Sequence, residues 1–163
     1  MTASEFVPEP VPPEGAAAPH GTLQHTVADD PDYRQMLVVR RDLKMRAGKC
    51  AAQASHASMG AITRGPGAHI QTLENGERQL VVPLDDDLHA WLTGRFKKVC
   101  VYVTSEAELL ALHERAQAQG MRCALIQDSG LTEFGGVPTY TVLSIGPHPK
   151  ARLDPLTGQL PLY

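Results

Sequence analysis

The sequence predicts an α/β fold: a three-layer α/β/α sandwich around a mixed sheet of about four strands, with an inserted β-hairpin. Three observations predict it. Four short runs dominated by aliphatic, β-branched and aromatic residues, at 36–40, 98–103, 122–127 and 139–145, have the length and composition of core strands. Segments with helical spacing of apolar residues stand between them, at 48–63 and from 105 to Gly120. A further β-like run over 69–82 has Asn75-Gly76 at its centre, which is a hairpin signal.

Residues 1–34 are rich in Pro, Ala and acids and show no period that suits a helix or a strand, so this arm is expected to be disordered. The domain, 35–163, opens on the strand Met36–Arg40. Gly48 marks the passage from loop to helix, and Arg64-Gly65-Pro66-Gly67 stops that helix after Thr63. The hairpin turns at Glu74-Asn75-Gly76-Glu77, where Asn-Gly supplies the two positive φ angles of a tight turn. Pro83 and Asp85-Asp86-Asp87 end it, and a short helix near 86–93 carries Trp91 and stops at Gly94. Lys98–Val103 is the second core strand. Ser105-Glu106-Ala107-Glu108 is a capping box, followed by the apolar stripe Leu109, Leu112 and Ala116. Arg122–Gln127 is the third strand, so strand, helix and strand predict a right-handed crossover between parallel strands. The loop Asp128–Pro138 leads to a strand over Thr139–Ile145, which Gly146-Pro147 is expected to break. Asp154–Gly158 reads as a turn, with Leu160, Leu162 and Tyr163 packing back on the domain.

A chain of 163 residues, 42 % apolar and 20 % charged, suits one globular domain with a real core. No apolar run reaches the length of a membrane span, and no basic segment with an apolar successor opens the chain, so neither a membrane span nor a secretory signal is expected. Cys50, Cys100 and Cys123 are odd in number and far apart, and read as reduced, small core residues of a cytoplasmic protein. No CxxC or HxxxH pair suggests a metal. The net charge of −3 is unevenly spread: residues 1–35 hold six acids against one base, and residues 36–163 hold 14 bases against 12 acids. Arg40, Arg41, Lys44, Arg46 and Lys49 fall within ten residues. Such a cluster is either a solvated loop or a cradle for phosphates.

Lys49, Gln53 and His56 stand at i, i+4 and i+7, so they share one helix face. Cys50, Ala54, Ala57 and Ala61 are small and apolar, which lets the helix pack closely on a sheet while it presents an amine, an amide and an imidazole to a ligand. Each has a plainer reading too: surface lysine, surface glutamine, packed histidine. Asp128 stands at the end of the third strand, in Gln127-Asp128-Ser129-Gly130-Leu131-Thr132. A carboxylate there can orient or deprotonate a water, or simply start a turn and cap its own loop. Thr132, Thr139 and Thr141 can orient water or ligand, though the last two also fit strand propensity. Ligands of open α/β sheets bind beyond the carboxyl ends of the strands. If the first and third strands are parallel, the basic loop and Asp128 share one edge.

Four segments in order carry a family resemblance. They are Val38-Val39-Arg40-Arg41-Asp42-Leu43-Lys44-Met45, Gly48-Lys49-Cys50-Ala51-Ala52-Gln53-Ala54-Ser55-His56-Ala57, Leu125-Ile126-Gln127-Asp128-Ser129-Gly130-Leu131-Thr132, and Ile145-Gly146-Pro147 with Leu153–Leu160. From about Met36 to Tyr163 the chain resembles the type II peptidyl-tRNA hydrolases. The resemblance implies hydrolysis of the ester joining a peptide to the 3′ end of tRNA, without metal or organic cofactor, in a protein that is often a homodimer. It implies Lys49, Asp128, Thr132 and Thr141 as catalytic residues. Water would attack directly, with Asp128 placing or activating it and Lys49 and nearby amides stabilising the oxyanion. Arg40, Arg41, Lys44 and Arg46 would hold tRNA phosphates, with Gln53 and His56 shaping the substrate site. The chain departs from the family pattern at Ala47, where a lysine is usual, at Leu131 for an arginine and at Glu133 for a glutamine. Segment 64–90 looks inserted. One fewer cation and one more anion are expected to weaken RNA binding more than hydrolysis. The alternatives are a non-catalytic binder of tRNA or another anion, and a hydrolase of a different small acylated substrate.

Overall fold

The computed structural model describes residues 32–163. The disordered arm expected over 1–34 lies outside the described residues, except at its last three positions. Four strands form the main sheet: β1 (Tyr33–Arg40), β4 (Lys98–Val103), β5 (Cys123–Asp128) and β6 (Thr139–Pro149). Two more, β2 (His69–Thr72) and β3 (Arg78–Val81), form a separate hairpin. The helices are α1 (Ala47–Thr63), α2 (Asp86–Thr93), α3 (Glu106–Ala118) and α4 (Lys150–Thr157).

The order across the main sheet is β4-β1-β6-β5. β1 pairs parallel with β4, and β6 runs antiparallel to both β1 and β5. β1 is central and covered on both faces, so its side chains alternate between two cores. Met36 and Val38 join Val101, Leu109, Leu112, Leu143, Leu153 and Leu156 beneath α3 and α4. Leu37 and Val39 join Met45, Cys50, Ala57 and Val142 beneath α1. Each fully buried aliphatic side chain of this kind contributes about 1.5–3 kcal/mol. The small residues predicted to let α1 approach closely do so: Ala57 and Ala61 are fully buried, and a Cβ at Gly60 would sit 3.4 Å from that of Ala124. The expected sandwich is thus observed, with the hairpin beside it. Among the described residues no helix is long and apolar enough to cross a membrane.

Several local expectations are corrected. β1 begins at Tyr33, ahead of the apolar run, because Tyr33 and Arg34 pair with Pro149 and His148. Gln35, polar yet wholly buried, donates to the Ser58 carbonyl at 3.1 Å and accepts from the Ser58 hydroxyl at 2.7 Å. Gly146-Pro147 does not break β6; the strand continues to Pro149 through a register shift opposite Arg34–Met36. Proline is tolerated inside a sheet at such an irregularity. Gly146 is required there: its φ is +93° and a Cβ would lie 2.7 Å from the Arg34 carbonyl.

Asp154–Gly158 is mostly helix rather than turn, since α4 runs through Pro155. An interior proline costs about 3 kcal/mol. Burying Leu153 and Leu156 offsets it. The hairpin loop is wider than Asn-Gly suggests. Thr72 pairs with Arg78, leaving five residues in the loop, and of the Asn75-Gly76 pair only Gly76 has positive φ. Asn75 instead accepts the Glu77 N–H at 3.0 Å.

β4 and β5 are parallel, as expected of the crossover, but β1 and β6 lie between them. The C-terminal tail does pack back, through its backbone: the Tyr102 N–H donates to the Pro161 carbonyl and the Tyr163 N–H to that of Cys100, each at 3.1 Å. Leu160 packs on the core, while the Leu162 and Tyr163 side chains stay exposed. The cysteine expectation holds only for Cys50. Cys123 is half-buried and Cys100 exposed, because both lie on edge strands.

Candidate active site

β1 and β5 are both antiparallel to β6, so their carboxyl ends reach the same edge of the sheet. β1 passes there into a single 3₁₀ turn, Arg41–Leu43. Lys44, in a left-handed conformation with φ 49°, redirects the chain toward α1. α1 then starts at Ala47 and carries Lys49 in its first turn, while β5 ends on Asp128. The sheet topology therefore brings together residues about eighty positions apart in the chain.

The Lys49 ammonium lies 2.7 Å from Asp128 Oδ1 and donates to Thr132 Oγ1 at 3.0 Å. Lys49 and Asp128 side chains are each 13 % exposed, so the pair is sheltered yet reachable. Gln53 Nε2 donates to the same Asp128 oxygen at 2.9 Å, and the Gly130 N–H donates to Oδ2 at 2.9 Å. Behind Gln53, the fully buried Thr141 hydroxyl donates to Gln53 Oε1 at 2.6 Å. A relay thus runs Thr141–Gln53–Asp128–Lys49. An ammonium has three donors, and a carboxylate has about four acceptor directions. Two Lys49 donors and three Asp128 directions are used within the described residues, leaving one of each for a ligand. A pocket of about 410 Å³ opens there, lined by Arg46, Gly48, Lys49, Thr132 and Glu133.

The Lys49 hydrogen bond is the largest influence on Asp128. With the Gly130 amide and Gln53, it outweighs burial and holds the carboxyl below the ordinary aspartate range. Asp128 is therefore ionised at neutral pH. Glu133 is also held low, chiefly by Arg46, whose Nε lies 2.6 Å from Glu133 Oε1. The Phe134 ring sits 5.7 Å from the Lys49 nitrogen and packs on the core beneath α1.

The structure thus gathers Lys49, Asp128, Thr132, Gln53 and, behind them, Thr141. It separates the other residues singled out from the sequence. Arg40 is buried, bonded to Asp42 at 2.6 Å, to Glu106 at 2.7 Å and to the Tyr140 carbonyl at 3.2 Å. Arg41 is exposed and lies over the Tyr102 ring at 4.5 Å. Lys44 is exposed, and Arg46 faces solvent while paired with Glu133. His56 is exposed two turns along α1 from Lys49. Two contributors were not singled out. The Gly130 amide was signalled by Asp-x-Gly, a pattern that lets an Asp bond the backbone two residues on. Phe134 carried no signal beyond being an aromatic in a glycine-rich loop. The loop-capping reading of Asp128 holds through Oδ2, while Oδ1 meets Lys49.

Residues 33–163 match the family model described as Peptidyl-tRNA hydrolase PTH2. A peptidyl-tRNA hydrolase of Methanopyrus kandleri is 41 % identical over 130 residues, covering 80 % of this chain and 97 % of that protein. One from Pyrobaculum aerophilum is 34 % identical over 139 residues, covering 81 % of this chain and 98 % of its own length. The human protein named Peptidyl-tRNA hydrolase 2, mitochondrial, is 36 % identical over 137 residues, covering 84 % of this chain and 68 % of its own. A family model matched over the whole described domain, and relatives of this similarity and coverage, lead to one conclusion: this chain belongs to the peptidyl-tRNA hydrolase PTH2 family.

Proposed function

We propose that this chain hydrolyses the ester bond between a peptidyl or N-acylated aminoacyl group and tRNA, in the cytoplasm, by direct attack of water at the Lys49–Asp128 site. The observation that carries this reading is the convergence of Asp128 and Thr132 on the Lys49 ammonium, with Lys49 and Thr132 lining a pocket. Asp128 is held too acidic to be a strong base, since an efficient general base titrates near the working pH. Its role is to orient the water through the free direction on Oδ2. Thr132 steers the Lys49 ammonium, whose third donor meets the ester oxygen as it gains negative charge. Gln53 and Thr141 are positioning residues. They hold Asp128 from behind, and their burial keeps them from the substrate.

Arg41, Lys44 and Arg46 are the exposed cations on this edge and take the tRNA phosphates. Arg40 serves the fold, tying β1 to the 3₁₀ turn, α3 and β6. Release of an N-acetylated amino acid from charged tRNA tests the reading. Lys49→Ala and Asp128→Ala are each expected to lower kcat by about 10²-fold or more. Because Asp128 is held low, any acid limb of the wild-type pH profile that it causes lies below the ordinary aspartate value of about 3.9. Full activity in either variant would sink the assignment.

A further inference from the structure

β5 is an edge strand: its inner side pairs with β6, and among the described residues no strand lies beside its outer side. Such an edge presents unpaired N–H and C=O groups from alternate residues. A groove of about 520 Å³ runs along it, between β5 and the flank of α1. The helix side is built by His56, Met59, Gly60 and Thr63, and the strand side by Cys123–Gln127. Lys49, Gln53, His56, Gly60 and Thr63 succeed one another at spacings of three and four, so they form a single row. The row that begins at the site lysine therefore continues as the wall of the groove. The strand on the other side ends on Asp128. Both walls lead to the reacting centre.

We infer that this groove holds the peptide part of the substrate, as an extended strand added to the open edge of β5. The inference rests on the hydrolase reading above. The ester carbonyl lies beside Asp128 and the peptide recedes toward Cys123, so the added strand runs parallel to β5. The edge from Cys123 to Asp128 spans roughly 17 Å, which accommodates about five extended residues. Main-chain pairing suits this substrate, because the backbone of a peptide is the same whatever its sequence. The lining suits a peptide better than a nucleic-acid strand. Met59, Ala124, Leu125 and Ile126 give it apolar surface, and among its lining residues Arg64 is the one fixed cation and no acid occurs. The exposed cations Arg41, Lys44 and Arg46 belong instead to the loop before α1, at the other end of that row. His56 finds its place here, as a wall of the peptide groove.

The test uses the full chain and one tRNA carrying peptides of one, three, five and eight residues with the same C-terminal residue. kcat/KM is expected to rise about tenfold from one to five residues and then level off. In the five-residue peptide, N-methylation at one alternate set of amides is expected to abolish the gain, and at the other set to leave it, because alternate N–H groups face the edge. Normal turnover with no dependence on length would overturn the groove while leaving the hydrolase reading intact. A gain insensitive to which amides are methylated would overturn the main-chain pairing. No cleavage of any of these substrates would instead refute the hydrolase reading. Thr63→Trp, at the far end of the groove, is expected to lower the five-residue to one-residue ratio of kcat/KM. An equal loss of affinity for deacylated tRNA in that variant would show that RNA fills the groove, and would overturn the proposal.

Discussion

At Glu133 a carboxylate stands beside Arg46, one of the cations we propose for the tRNA phosphates. It is tied to the Arg46 guanidinium and 3.4 Å from the Arg46 amide, at the start of α1. The site therefore carries its own resident anion, which a phosphate must displace to use Arg46. Glu133→Gln is expected to lower KM by about twofold to fivefold at low salt, with kcat little changed, since an ion pair whose guanidinium faces solvent is worth little in water. The salt dependence of kcat/KM should steepen by about one phosphate contact. An unchanged KM and slope would rule this out. At this scale the sequence was informative about chemistry and blind to direction. Lys49, Asp128 and Thr132 stood out through the resemblance to the type II peptidyl-tRNA hydrolases, since residue type and spacing alone also suited a surface lysine and a loop-capping aspartate. Nothing local distinguished Arg40, which turns inward to Glu106, from Arg41, which turns outward onto Tyr102. Gln53 looked like a surface amide because its partners, Asp128 and Thr141, are more than seventy residues away.

Among the elements, α2 and the junction of β6 with α4 are joined through one histidine. His148 Nδ1 lies 2.6 Å from Asp87 Oδ2, and its Nε2 accepts the Arg122 N–H at 3.0 Å. That pair of bonds requires a neutral ring with its proton on Nδ1. Burial pushes the His148 pKa down, although Asp87 pulls the other way, and burial lowers His113 as well. A histidine whose folded pKa is depressed stabilises the fold fully above its unfolded value of about 6.5, and that stability is lost as pH falls below it. Urea midpoints are expected to fall from pH 7 to pH 5, and His148→Asn should flatten part of that slope. An identical slope in the variant would refute the assignment. The low-lying carboxylates act in a lower window, because their contribution is lost only as pH falls through the acid range. Element types were largely legible, since apolar periodicity is a local signal. The misreadings came where packing overrode local signals. Pro147 sits inside a central strand at an irregularity, and Pro155 inside a helix whose leucines are buried.

Across the whole molecule, the two sheet edges are treated differently. The outer side of β4 is covered by the C-terminal tail, while among the described residues that of β5 is left open beside the site. A chain ending at Gly158 is expected to melt about 3–5 °C lower and to associate as concentration rises, because it presents a second bare edge. A monomeric truncation with an unchanged melting point would contradict this. Strand order was the least legible part of the fold, since side-chain alternation shows which faces are buried but not which strands are neighbours. The central pairing joins β1, at the start of the domain, to β6, near its end. During synthesis the first strand must therefore wait for nearly the whole domain to emerge before its antiparallel neighbour exists. A chain interrupted before Thr139 would hold Lys49 and Asp128 without the strand that places them together.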